Sequence, residues 1–267
     1  MKNILVLLLS IALFSSCKDS KKEEMLVIHD TVDISEVQSK PYPKELARIL
    51  EKHGGIETWN DINNLCFDIE KPDYVETHTT SLKHRQSKIE SEHWSIGNDG
   101  EQVWLMQNNE DAYQGNARFY HNLMFYFYAM PFIVSDDGII YENIPSTELM
   151  GQKYAAIKIS YDAGVGYSAD DEYIIYYDPD SNNMEWLGYT VTYGKEGKND
   201  DWHFIKYNSW QLVNGLTLPK DLVWYTVEDG KPVKALNTMT FSKVTATATI
   251  LEPSVFLMPK GAEVIEK

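Results

Sequence analysis

The sequence predicts a mainly β, α+β domain: a curved antiparallel sheet of about ten strands, with two or three helices covering its concave face. Three observations point there. Runs of period two follow one another from residue 63 to residue 246, many of them separated by tight-turn residues. One helix-length segment, Asn116 to Pro131, is apolar or aromatic nearly all round. A short amphipathic segment precedes the first strand. Consecutive hairpins imply an antiparallel meander, and about ten twisted strands either close or curl, leaving a concave apolar face that something must cover.

The N-terminus reads as an export signal. Met1-Lys2-Asn3 carries one positive charge, Ile4 to Phe14 is apolar, and the small pair Ser15-Ser16 follows. The apolar run is shorter than the roughly 20 residues of a membrane-spanning helix. Phe14-Ser15-Ser16-Cys17 resembles a lipobox, with Phe14 where Leu is usual. Residues 1–16 are therefore expected to be a lipoprotein signal peptide and Cys17 the lipidation site. Residues 17–40 would carry the lipid and a flexible tether, since Lys18 to Glu24 has no globular pattern. Residues 41–267 would form the folded domain, beginning near Tyr42.

Within that domain, Pro43 to His53 spaces Leu46, Ile49 and Leu50 as one apolar helix face. Gly54-Gly55 stops the helix, and His53 at its end is placed to stabilise the C-terminal dipole. Ile56 to Ile62 allows one more helical turn with Trp59 as its inward anchor. Strands are expected at 63–70, 74–81, 85–97, 101–107, 153–161, 171–178, 184–193, 202–213, 216–227 and 234–246. Turn chemistry at Asn98-Asp99-Gly100, Asp178-Pro179-Asp180, Gly194 to Gly197, Asn214-Gly215 and Glu228-Asp229-Gly230 divides many of them. The segment 116–131 is expected to be one helix, buried on more than one face, that lines or covers the concave surface.

Composition narrows the function classes. A net charge of −16 argues against nucleic acid and anionic headgroups, which need clustered Lys and Arg, and favours a neutral, apolar or cationic partner. With Cys17 committed to lipid, Cys66 has no intrachain partner and reads as a small buried hydrophobe. The seven histidines contain no metal-binding pair at helix or strand spacing. Asp178, Asp180 and Asn182 imitate the start of a calcium loop, but Asn183 and Tyr189 stand where Gly and Glu belong, so a turn is the better account. Asp136-Asp137 and Asp170-Asp171-Glu172 sit beside turns and are expected to face water. No nucleophile elbow or phosphate loop appears. No catalytic residue, metal or cofactor is assigned, and the chain is not expected to be an enzyme. The informative remainder is aromatic: 17 Tyr and 7 Trp. Trp59, Phe119, Leu123 and Phe127 are the candidate ligand-binding residues, as walls of a cavity; the competing account is plain core packing.

A family resemblance accompanies this reading. His53-Gly54-Gly55-Ile56-Glu57-Thr58-Trp59, the hairpin Tyr176-Tyr177-Asp178-Pro179-Asp180, and the ending Val255-Phe256-Leu257-Met258-Pro259-Lys260-Gly261-Ala262-Glu263-Val264-Ile265 together resemble the LolA/LolB-like lipoprotein-carrier superfamily. They are most similar to uncharacterised lipoproteins of Bacteroidota that carry the HGG…W start. The resemblance implies that the curved sheet of residues 41–267 is an unclosed antiparallel half-barrel lidded by helices, with an apolar cavity for a lipid or other lipophilic ligand. The expected protein is a monomer held to the outer membrane by its lipid anchor, because Lys18 follows the cysteine where inner-membrane retention favours Asp. Lys21-Lys22-Glu23-Glu24 resembles a charged surface-export signal, so the periplasmic and surface faces both stand open. The alternative is a structural or interaction lipoprotein whose barrel is filled by its own side chains and holds no ligand.

Overall fold

Leu46, Ile49 and Leu50 fall on one side of α1 (Lys44–Lys52) and are buried, as their spacing dictates. A glycine pair turns the chain into α2 (Ile56–Asp61), which buries Trp59. The computed structural model describes residues 42–162, 170–195 and 197–266. After α2 the described residues form a single antiparallel sheet of thirteen strands, in the order β13-β5-β4-β3-β2-β1-β12-β11-β10-β9-β8-β7-β6. The strands are β1 (Asn64–Glu70), β2 (Val75–Ser81), β3 (Ser87–Glu90), β4 (Trp94–Asn98), β5 (Val103–Gln107), β6 (Ile139–Leu149) and β7 (Gln152–Tyr161). There follow β8 (Tyr173–Tyr177), β9 (Met184–Tyr189), β10 (His203–Val213), β11 (Leu216–Glu228), β12 (Lys231–Thr247) and β13 (Glu263–Val264).

Two meanders, β1 to β5 and β6 to β12, are joined where β1 pairs with β12. That seam puts β5 and β6, consecutive in sequence, near opposite edges of the sheet. The chain between them must cross a face of the sheet, and it does so as α3 (Ala117–Tyr120), α4 (Leu123–Tyr128) and a 3-10 turn over Phe132–Ser135. Since β13 and β6 do not pair, the sheet is an open half-barrel.

The main core lies between the concave face and these helices. It unites Leu46, Ile49 and Trp59 with Phe127, Tyr128 and Phe132 of the crossing segment and with strand residues such as Phe67, Leu187 and Phe241. A second apolar cluster, including Tyr154, Ile174, Tyr176, Trp186 and Phe204, occupies the alternate positions of β7 to β10 and so faces outward. That half of the sheet is buried on both sides.

Three expectations are corrected and two strands are added. The single helix over 116–131 is two short helices: Asn122, with φ −132° and ψ 0°, leaves the helical region between them. The run 85–97 is the hairpin β3–β4, turning at Ser91 to His93. Residues 139–149, not among the runs named from the sequence, form β6; as an edge strand, exposed at many positions and carrying Pro145 near a register shift, it lacks clean apolar alternation. Glu263–Val264 adds the other edge by pairing with Leu105 and Trp104. Cys66 is free and half-buried on β1, less enclosed than expected.

Candidate functional site

The four aromatic and aliphatic candidates do not share one environment. Trp59 is buried and stacks on Phe132, with centroids 4.8 Å apart and planes 6° apart. Phe127 is buried against Tyr189 at 4.9 Å and Trp224 at 6.0 Å. Leu123 packs half-buried against the same core. Phe119 lies apart, half-buried beside Tyr193 at 5.0 Å. The structure thus brings Trp59, Leu123 and Phe127 into one core on the concave face and leaves Phe119 at its rim. The crossing segment is held there mostly by side chains. Tyr207 donates to the Phe127 carbonyl at 2.6 Å and Tyr141 to the Val134 carbonyl at 2.7 Å. Beside Trp59, a cleft of about 470 Å³ is bounded by Tyr42, Arg85 and Asp136, with Arg85 and Asp136 paired.

His53 has a different role from the one its sequence position suggested. Burial pushes its pKa down to about 4, so the ring is neutral at pH 7 and brings no charge to the helix dipole. It is a hydrogen-bond junction instead. Nδ1–H donates to the Thr217 carbonyl at 3.2 Å, and Nε2 accepts from the Met184 N–H at 3.2 Å. The His53 carbonyl also accepts from Thr217 N–H at 2.7 Å. These bonds tie the end of α1 to β9 and to the β10–β11 hairpin.

The acidic groups also separate. Asp178 Oδ1 accepts from the N–H groups of Asp180 and Ser181 and from the Ser181 hydroxyl, which is the chemistry of a turn. Glu172, expected to face water, is buried and paired with Lys158 at 2.9 Å and Lys198 at 2.7 Å. Burial raises its pKa, but the two lysines outweigh that and hold the carboxyl below its ordinary range. Among the described residues no group of three His, Cys, Asp or Glu side chains converges as a metal site would require. No described helix is long and apolar enough to cross a membrane.

A further buried polar cluster gathers around Glu76. Glu76 and His78 are two apart on β2, so both point to the concave face, and both are buried. Glu76 Oε2 accepts from Tyr120 at 2.6 Å and from His78 Nε2 at 3.2 Å, and pairs with Lys71 Nζ at 3.4 Å. Burial alone would raise Glu76; the bonds from His78 and Tyr120 and the charge of Lys71 outweigh it and keep the carboxyl ionised. Burial holds His78 below its ordinary pKa against the pull of Glu76, so the imidazole is neutral. Over this group opens a cleft of about 290 Å³ lined by Lys71, Tyr74, Glu76, Trp94, Tyr113 and Tyr120. The signal was in the sequence as Glu76-Thr77-His78, an acid and a histidine on one strand face. An acid and a histidine two apart on a strand are common on exposed faces, so only the burial of this face singles the pair out.

The fold and the crossing segment define a half-barrel with a covered concave face. The chain belongs to a family of unknown function (DUF6503), whose model matches residues 2–240. No curated protein matches it. Among solved structures it is similar to a LolA superfamily protein of Nitrosomonas europaea, at 11% identity and TM-score 0.45, covering 79% of this chain and 96% of that one. It is similar to a DUF1329 family protein of Desulfovibrio piger at 8% identity and TM-score 0.47, covering 80% and 98%. Lipoprotein LppX of Mycobacterium tuberculosis matches at 11% identity and TM-score 0.26, covering 57% and 90%.

Proposed function

We propose that this chain is an exported lipoprotein, cut after residue 16, lipidated on Cys17 and held to the outer membrane through the tether 17–40, whose half-barrel holds a lipophilic or amphiphilic ligand on its concave face. On this reading it acts as a monomeric binding protein rather than an enzyme. The observation that carries it is the connection between β5 and β6. It covers the apolar concave face without contributing a strand, so it can shift and expose that face while every strand ladder stays intact. Tyrosine hydroxyls at the ends of this cover would meet the polar end of an amphiphile.

One observation favours the alternative of a self-filled barrel: Tyr128, Ala129, Met130, Phe132 and Val134 are fully buried in the closed arrangement. Two measurements on Phe119→Ala, Leu123→Ala and Phe127→Ala separate the readings. Phe127→Ala is expected to destabilise by about 3–5 kcal/mol, as truncation of a buried Phe does. If the segment covers a ligand, co-purifying lipid should change in at least one variant; unchanged lipid in all three would leave the self-filled barrel standing. For the anchor, Cys17→Ser is expected to abolish labelling with radioactive palmitate and to release the protein from the membrane fraction. A mutant that still takes up label would sink that assignment.

A further inference from the structure

The cleft over Glu76 is built around one buried negative charge and a ring of aromatic faces. Tyr74 and Trp94 meet edge to face at 6.1 Å, Trp94 and Tyr113 lie 4.8 Å apart, and Tyr113 and Tyr120 lie 6.5 Å apart, so four rings follow one another around the opening. The Glu76 carboxylate is at its base. Its bonds from Tyr120 and His78 and its contact with Lys71 all fall on Oε2, and the Tyr74 hydroxyl also engages the carboxylate from the rim. Burial keeps His78 neutral, so the cation that pairs with Glu76 here is Lys71. That ammonium stands 3.4 Å from the carboxylate, 3.2 Å from the Tyr120 hydroxyl and 5.7 Å from the centre of the Tyr120 ring.

An ionised carboxylate beneath electron-rich ring faces is the chemistry that recognises an ammonium group. Here the chain supplies the first example itself. Lys71, however, is a poor permanent filling. Its side chain is 21% exposed and hangs on a flexible stem from the β1–β2 turn, so its ammonium can turn out to water once another cation takes its place beside Glu76. The Glu76 carboxylate cannot follow, because β2 fixes it.

We propose that this cleft binds a primary alkylammonium group, which takes the place of Lys71 Nζ between the Glu76 carboxylate and the Tyr120 ring and hydroxyl. Exchange of one ammonium for another keeps the cleft neutral, and the net charge of −16 draws cations toward it. An anionic ligand would meet Glu76 and is excluded. The same ammonium chemistry is carried by a free amine and by the ethanolamine head of a membrane lipid. The proposal does not depend on an acyl chain entering the concave face.

Binding of ethanolamine and of n-butylamine to the full chain is measured by calorimetry and by the tryptophan fluorescence that is lost in a Trp94→Phe variant. Lys71→Ala removes the internal competitor and is expected to tighten amine binding roughly tenfold, and millimolar amine is expected to raise the melting temperature of that variant. Choline, which has no N–H to donate, should do so far less. Glu76→Gln should abolish binding; if that variant fails to fold, Tyr74→Ala, which removes a half-exposed ring, should weaken binding severalfold in a folded protein. Vesicles of phosphatidylcholine with and without phosphatidylethanolamine then separate the sources. Retention only on the ethanolamine vesicles, lost with the cleft variants, assigns a lipid head; binding of free amine without vesicle retention assigns a soluble one. Failure of both the wild type and Lys71→Ala to bind any primary amine overturns the proposal.

Discussion

Acidification from pH 6.5 to pH 4 is expected to remove several kcal/mol of stability, most of it through two buried histidines. Burial lowers the pKa of His53 and of His121 to about 4 in each case. Their unfolded value is 6.5. Because the folded pKa is the lower one, the unfolded chain takes up these protons first, and stability falls as pH drops through 6.5 and levels off near 4. A shift of this size corresponds to about 3 kcal/mol per histidine at most. His78, also lowered, acts in the same direction. Glu76, held below its ordinary range, adds a loss only where the unfolded carboxyl begins to protonate. Asp136 and Asp171, which burial raises, oppose the trend. Urea denaturation at steps between pH 7 and pH 4 reads the slope. An NMR titration assigning His53 a pKa near 6.5 would contradict the account.

Gly54→Ala is expected to destabilise the protein by about 3–5 kcal/mol, the sum of backbone strain and overpacking. Gly54 has φ +116°, a conformation that L side chains rarely adopt. A Cβ there would lie 2.4 Å from the Gly215 carbonyl oxygen and 3.0 Å from the Leu216 Cα. Both atoms are backbone in the β10–β11 turn and cannot rotate aside. Gly55, at φ +87°, would meet only the flexible end of Glu51 at 3.4 Å. Its replacement by Ala should therefore cost about 1–2 kcal/mol, from conformation alone. Equal losses for the two variants would mean that the close approach of Gly54 to the hairpin does not matter. The two glycines and His53 act as one joint: the histidine bonds to β9 and to the hairpin, and the missing side chain lets the hairpin come close enough for those bonds to form.

The same residues mark how far sequence reasoning reaches. Gly54-Gly55 reads correctly as the stop of a helix, because that is local backbone chemistry. That Gly54 must also admit the backbone of residues 215 and 216 depends on a partner more than 150 positions away. His53 sits where a charged histidine would serve the helix dipole, yet enclosure by β9 and β10–β11 makes it neutral. The ending around Phe256 is similar. Its carbonyl accepts the buried Trp104 indole N–H at 3.0 Å, and Gly97 leaves the space for that ring, since a Cβ there would lie 2.2 Å from it.

The amino-acid sequence by itself determined the antiparallel meander, the amphipathic α1, the inward Trp59, and the greasy segment over 116–131 as an internal cover. Each rests on periodicity or local turn chemistry, which a short window of residues carries completely. The tertiary structure alone decided that β1 pairs with β12, and with it that the cover must cross from one edge of the sheet to the other. It also decided that α3 and α4 are separate, that Glu172 is buried between two lysines, and that Lys71, Glu76, Trp94, Tyr113 and Tyr120 share one cleft. Those outcomes depend on which distant strands become neighbours, and on the dielectric their packing creates around a charge. Neither is carried by any single stretch of the chain.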